Sequence, residues 1–369
     1  MLSVHITKTL NDFALDVAFD ADSKGITALF GRSGSGKSTL VNLIAGLLPP
    51  DSGHVTVNGE VLFNTAKGIN LPPEKRRIGY VFQESRLFPH MTVKGNLTYG
   101  MNFTAPRERF VEFDHIVSLL GVDHLLDRRP GSLSGGERQR IAIGRALLSS
   151  PRMLLMDEPL ASLDATRKNE ILPFIERLRD EVKLPIVYVS HDLNEVIRLA
   201  DTMVLLSDGG VAAIGPVEDL TSRLDLYPLT GRYEAGAALA TKVAGHDSEF
   251  NLTFLEFSGG RFTVPKIDLP IGAPLRLRVR ARDVSLSLEK HTNTSILNIL
   301  KGVVKEMSET GESQIEVRLD VGAPLIARVT RKAAHDLELA PGKTIYAMVK
   351  AIAIDRPSMG RRGGRTREQ

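Results

Sequence analysis

Apolar residues fall along the first two thirds of the chain in two alternating rhythms. Ile26-Thr-Ala-Leu-Phe30, Ile78-Gly-Tyr-Val-Phe82, Met153-Leu-Leu-Met156 and Ile186-Val-Tyr-Val189 are short, nearly continuous apolar runs, the pattern of buried strands. Between them the spacing turns helical. Leu40, Val41, Leu43, Ile44 and Leu47 predict one helix, stopped by Pro49-Pro50. Phe110, Phe113, Ile116, Val117, Leu119 and Leu120 give one buried face within a mostly helical stretch from Val93 to Arg129, and Ile141, Ile143 and Leu147 mark another helix. Val4 to Ile6 and Leu15 to Phe19 read as short strands near the start. His54 to Val57 and Val61 to Phe63 flank Asn58-Gly59, a pair that tolerates the positive φ of a hairpin turn.

From about Gly231 to Glu289 the helical signal fades. Leu275-Arg-Leu-Arg-Val-Arg280 alternates apolar residues with arginine and predicts a half-buried strand with a solvated basic face. After residue 290, the segments Ile315 to Leu319, Leu325 to Val329 and Ile345 to Ile354 read as strands separated by glycine-containing turns, for which a small closed β-barrel is the natural solution.

A chain of 369 residues calls for two or three domains, and 42% hydrophobic with 25% charged residues is a globular composition. The absence of cysteine excludes a disulfide framework and any cysteine-bound zinc, in keeping with a reducing cytoplasm. No apolar stretch approaches the ~20 residues of a membrane helix, and MLSVHITKTLNDF is not a secretory signal. Work at a membrane would therefore need another subunit to cross it. A net charge of +3 is too small to argue for nucleic acid, and the basic, glycine-rich end after Asp355 reads as a solvated, disordered tail.

The candidate chemistry begins at Gly31-Arg32-Ser33-Gly34-Ser35-Gly36-Lys37-Ser38-Thr39, which follows a buried strand and opens a helix. It fits G-x-x-x-x-G-K-[ST], a loop whose backbone N–H groups cradle phosphates while the lysine and a hydroxyl handle the terminal phosphate and Mg²⁺. Gln83 ends the next buried run, with the apolar loop Leu87-Phe-Pro-His-Met-Thr-Val93 behind it. Leu133-Ser134-Gly135-Gly136-Glu-Arg-Gln-Arg140 puts two glycines and a hydroxyl at a helix start. Asp157-Glu158-Pro159 places adjacent carboxylates at a buried strand end, where uncompensated charge is costly unless it serves a ligand. Ser162-Leu-Asp164 follows, and Ser190-His191-Asp192 closes the last buried run, at the strand edge where α/β sheets bind ligands.

In this order and spacing, GRSGSGKST, Gln83, LSGGERQR, MLLMDEP, SLD and His191 resemble the motif set of ATP-binding-cassette (ABC) ATPases over residues 1 to about 230. LFPHMTV is similar to the permease-docking region of importer ATPases. The resemblance implies that Lys37 contacts the β- and γ-phosphates of ATP, that Ser38, Gln83 and Asp157 serve Mg²⁺, and that Gln83 also meets the attacking water. It implies that Glu158 is the general base or water-positioning residue and that His191 holds and senses the γ-phosphate. Ser134, Gly135 and Gly136 would meet ATP bound to a second copy, with Asp164 lining the seam of a homodimer. Where that family commonly sets an aromatic residue against adenine stands Leu10, with Phe13 nearby.

The run from Ser295 to Val304 and the segment Val349 to Ile352 look like the oxyanion-binding domain found behind molybdate-importer ATPases. Ser295 and Lys350 match its oxyanion contacts, and Leu297 replaces an arginine common there. The implied fold is an α/β P-loop NTPase with a helical subdomain at about 88–152, followed by a C-terminal all-β, OB-like Mop/TOBE-type domain. The implied organisation is 1–230 ATPase, 231–289 linker and accessory strands, 290–355 barrel and 356–369 tail. The implied function is ATP hydrolysis by a dimer at the cytoplasmic face of the plasma membrane. It would drive molybdate or tungstate through separate permease subunits fed by an extracytoplasmic binding protein, without nucleic acid, and with the oxyanion as a regulatory ligand. Sulfate, iron or sugar importers, or a soluble nucleic-acid-associated ABC ATPase, are the alternatives.

Overall fold

Two units divide the chain, Met1–Ile214 and Gly215–Gln369. The computed structural model describes residues 1–230, 235–351 and 359–361. The first unit begins β1 (Leu2–Leu10), β2 (Phe13–Ala21), β3 (Gly25–Phe30), α1 (Lys37–Ala45), β4 (Ser52–Val57), β5 (Glu60–Asn64), β6 (Ile69–Asn70), α2 (Pro73–Arg76) and β7 (Ile78–Val81). A helical portion follows, with α3 (Val93–Thr98), α4 (Phe113–Leu120) and α5 (Gly135–Leu148). The sheet then resumes through β8 (Met153–Asp157), α6 (Ala165–Glu181), β9 (Pro185–Ser190), α7 (Leu193–Leu199), β10 (Thr202–Ser207) and β11 (Gly210–Pro216).

All eleven strands form one sheet in the order β6-β5-β4-β1-β2-β11-β10-β3-β9-β8-β7. From β10 to β7 the neighbours are parallel, as the unbroken apolar runs require, and every residue of β9 is buried. Because these strands share one direction, the segments leaving β3, β7, β8 and β9 emerge along one edge of the sheet. From β6 to β2 the neighbours are antiparallel, and the Asn58-Gly59 turn there has φ of 49° and 86°, as the hairpin signal predicts.

Some boundaries differ from expectation. The helix expected to reach Leu47 ends at Gly46, whose φ of 80° forms a left-handed cap ahead of the prolines, and Leu47 is 53% exposed. The buried Arg76 guanidinium donates to Leu43 O and Ile44 O at 2.9 and 2.8 Å, satisfying end carbonyls of α1. The stretch from Val93 to Arg129 is helical in α3 and α4 and otherwise carries short 3₁₀ turns, and Phe110 lies 57% exposed rather than on the buried face. A Cβ at Gly144 of α5 would stand 2.7 Å from Leu97 and 2.8 Å from Leu120, so the glycine lets α3 and α4 pack onto α5.

The second unit carries α8 (Val217–Thr221), α9 (Tyr227–Thr230), β12 (Gly236–Asp247), β13 (Leu252–Phe257), β14 (Gly260–Pro265), β15 (Pro274–Arg280) and β16 (Val284–Ser287). It continues with β17 (Asn298–Thr310), β18 (Gln314–Asp320), β19 (Pro324–Thr330), α10 (Arg331–Asp336), β20 (Thr344–Val349) and β21 (Met359–Arg361). Two five-stranded sheets, β14-β13-β12-β15-β21 and the curled β16-β20-β17-β18-β19, share one apolar core from Leu224 to Val349. The all-β C-terminal fold is thus as the sequence predicts. The expected strand to Ile354 ends at Val349, and residues 352–354 lie outside the described residues. So does the expected tail 356–369, apart from Met359–Arg361, whose backbone pairs with Leu275–Leu277.

The basic face predicted for Leu275 to Arg280 is not solvated. Arg276 and Arg278 are each 1% exposed, and Glu218 of α8 closes over Arg276 with a 3.0 Å ion pair. Asn298, also buried, accepts from Thr263 N at 2.6 Å and donates to Thr263 O at 2.9 Å, linking β17 to β14 in the manner of a strand pair. Asn298→Ala is expected to leave both backbone groups unpaired and cost about 1–3 kcal/mol of stability, read as a lower urea midpoint for the C-terminal transition of the full chain.

Candidate functional site

The loop after β3 takes its shape from glycines at positive φ, Gly34 at 83° and Gly36 at 99°. Lys37 begins α1 and is buried, and its ammonium donates to Gly31 O at 2.8 Å and Arg32 O at 2.9 Å. Burial draws its pKa below the usual lysine value, while the nearby Glu158 and Asp157 carboxylates act in the opposite sense. Ser35 is 5% exposed, and its hydroxyl is without a hydrogen-bond partner among the described residues. A Cβ at Gly36 would meet Phe13 at 2.9 Å and Leu15 at 3.0 Å, so the Phe13 ring lies against the mouth of the loop. Leu10 is its partner across the β1–β2 hairpin.

The carboxylates arrive from β8, next but one to β3. Asp157 accepts from Ser38 Oγ at 3.3 Å, and the single Tyr80 O–H is shared between Asp157 at 3.4 Å and Asn42 Oδ1 at 3.2 Å. Burial pushes the Asp157 carboxyl above its ordinary pKa, a penalty on its charge that a neighbouring cation would offset. Glu158 holds φ at 44°, a left-handed conformation that costs a non-glycine residue roughly 1–2 kcal/mol. Its N–H bonds Val189 O at 3.1 Å, and its Oε2 lies 3.1 Å from His191 Nδ1. Gln83 is exposed two residues beyond Val81, the register partner of Met156, and so enters the same edge.

These donors suit Mg²⁺ and a polyphosphate. Ser38 and Asp157 offer two converging oxygens, Ser35 an unclaimed hydroxyl, and Lys37 the charge. Mg²⁺ at such sites uses few protein ligands and completes its shell with phosphate and water, in keeping with the absence of any cluster of three His, Asp or Glu among the described residues.

Ser134, Gly135 and Gly136 stand in a different group. Ser134 caps α5 reciprocally with Glu137, at 3.2 and 2.7 Å. A Cβ at Gly135 would lie 3.1 Å from Leu163, and one at Gly136 3.6 Å from Ile171. Asp164 caps α6 by accepting from Arg167 N at 2.9 Å. One chain therefore presents two patches, one built on Lys37, Ser38, Asp157, Glu158 and His191 and one on Ser134–Gly136 with Asp164. In the second unit, Asn298 pairs with Val349, which brings the exposed Ser295 and Lys350 to the same end of β17 and β20, and Leu297 beside them is 54% exposed. The sequence reading missed Tyr80, whose contact with Asp157 spans 77 positions and leaves no local signal.

Residues 15–161 match the ABC transporter family and residues 294–354 the TOBE domain. The molybdenum import ATP-binding protein ModC of Rhodospirillum rubrum is 50% identical over 365 residues, spanning 97% of this chain and 98% of its own. The protein of the same description from Mesorhizobium japonicum is 52% identical over 358 residues, spanning 97% and 96%. Among solved structures, cbiO1 from Clostridium perfringens, part of an ABC transporter complex, is 26% identical with a TM-score of 0.52, covering 62% of this chain and 92% of that one.

Proposed function

Because the chain belongs to the family of molybdenum import ATP-binding proteins of ABC transporters, we propose that it hydrolyses ATP to power molybdate entry through a separate membrane permease. It is an ATPase coupled to transport, and no helix among the described residues is long and apolar enough to cross a membrane. The reading therefore places it peripherally on the cytoplasmic face, as a homodimer under the permease subunits, with an extracytoplasmic binding protein delivering molybdate or tungstate.

The observation that carries the chemistry is the convergence of Lys37, Ser38, Asp157, Glu158 and His191 at the edge of the parallel strands. In the assigned roles Lys37 leaves the Gly31 and Arg32 carbonyls for the β- and γ-phosphates, and the loop N–H groups hold the rest. Ser38, Asp157 and Gln83 would hold Mg²⁺, which would supply positive charge against the phosphates. Glu158 takes a proton from the attacking water, and His191 keeps that carboxylate aimed while facing the γ-phosphate. Ser134, Gly135, Gly136 and Asp164 serve the site of the second copy, a role supported by their lying apart from the Lys37 group: in their own chain they meet Glu137, Leu163, Ile171 and Arg167. The exposed Ser295 hydroxyl and Lys350 ammonium are assigned to a regulatory oxyanion, a role supported by their common sheet end.

Cells lacking this protein are expected to lose uptake of labelled molybdate at trace concentration and to recover growth when external molybdate is raised. Unchanged molybdate uptake with lost sulfate, iron or sugar uptake would overturn the assigned substrate.

A further inference from the structure

Behind His191 lies a carboxylate that the hydrolytic scheme does not use. Glu195, on α7, is 4% exposed. Its Oε1 accepts from Lys168 Nζ at 2.7 Å, and its Oε2 accepts from the Tyr188 hydroxyl at 2.9 Å and from Ser190 Oγ at 2.8 Å. Ser190 Oγ in turn accepts from Asp192 N at 3.0 Å, and Asp192 accepts from Lys168 Nζ at 3.4 Å and from Asn194 N at 2.9 Å. A carboxylate this deeply buried persists as an anion only where donors surround it.

The donors come from separate elements. Tyr188 and Ser190 end β9, directly before His191. Lys168 belongs to the first turn of α6, and its backbone N–H bonds the carbonyl of Asp164 at 2.9 Å. One buried carboxylate therefore ties the strand that presents His191 to the helix that presents Asp164, while all its own partners lie outside the phosphate loop.

We propose that Glu195 is a positioning residue that sets His191 against Glu158 and holds the start of α6, with Asp164, in register with it. The proposal rests on the ATPase reading above. It assigns Glu195 an effect on turnover through His191 and none on nucleotide capture. An amide cannot replace the carboxylate, because its oxygen can take two of the donors while its NH₂ group must face the third.

The test compares the full chain with Glu195→Gln and with Tyr188→Phe, which removes one donor only. Each is measured for ATP turnover, for ATP binding by titration calorimetry, and for the ring resonances of His191, assigned by their loss in His191→Gln. The expected result for Glu195→Gln is a fall in kcat of about tenfold or more, an ATP Kd within about twofold of the parent, and displaced His191 resonances. Tyr188→Phe should lower kcat and displace the His191 resonances in the same direction by less, with the ATP Kd again within about twofold of the parent. Turnover within twofold of the parent with unmoved His191 resonances would overturn the proposal, as would a loss of ATP binding equal to the loss of turnover, which marks general destabilisation. If the parent binds ATP without hydrolysing it, the ATPase reading fails instead, and the His191 resonances alone decide the positioning claim.

Discussion

Glu158→Gln is expected to lower ATP turnover by about 10³-fold while ATP binding persists. The substitution keeps the side-chain volume, and the backbone that holds φ at 44° through the Val189 carbonyl is unaffected. What disappears is the proton acceptor 3.1 Å from His191. Lys37 and Ser38, the groups assigned to phosphate and Mg²⁺, are untouched. Asp157 loses a neighbouring negative charge that helps raise its pKa, so it remains at least as well ionised for a cation. The variant should accumulate as an ATP-loaded dimer, detected as nucleotide co-eluting with a doubled mass in gel filtration. Normal turnover would remove Glu158 from the chemistry.

The parts legible in the sequence were those whose causes are local. Ile26 to Phe30, Met153 to Met156 and Ile186 to Val189 read as buried strands because a parallel sheet buries both faces, and each run ends where its site residue begins. The phosphate loop and the hydroxyl that Ser134 sets at a helix start announce themselves within a few residues, and the structure completes the latter as a capping box with Glu137. Other features depend on partners far along the chain. Arg276 alternates with leucine as a solvated strand face would, whereas in the fold Glu218, 58 positions earlier, holds it in an interior ion pair. Tyr80 and Glu195 look like ordinary strand and helix residues until Asp157 and Lys168 are brought to them. Leu47 was misplaced because Gly46, not the following prolines, ends α1.

The proposed division of the site between chains has the broadest consequence. Ser134 is committed to its own capping box, Gly135 and Gly136 face Leu163 and Ile171, and the phosphate loop gathers Asp157, Glu158 and His191 instead. On the proposed roles a γ-phosphate held by Lys37 takes donors from another copy, and removing one such donor from a transition state typically costs about 10²–10³-fold in rate. A lone chain should bind ATP and turn it over slowly. The most direct measurement is ATP hydrolysis per mole of chain across a dilution series, with the mass of the species measured at each concentration. The account predicts that the rate per chain falls at least tenfold as the dimer gives way to monomer. A rate per chain unchanged by dilution to the monomer would contradict it.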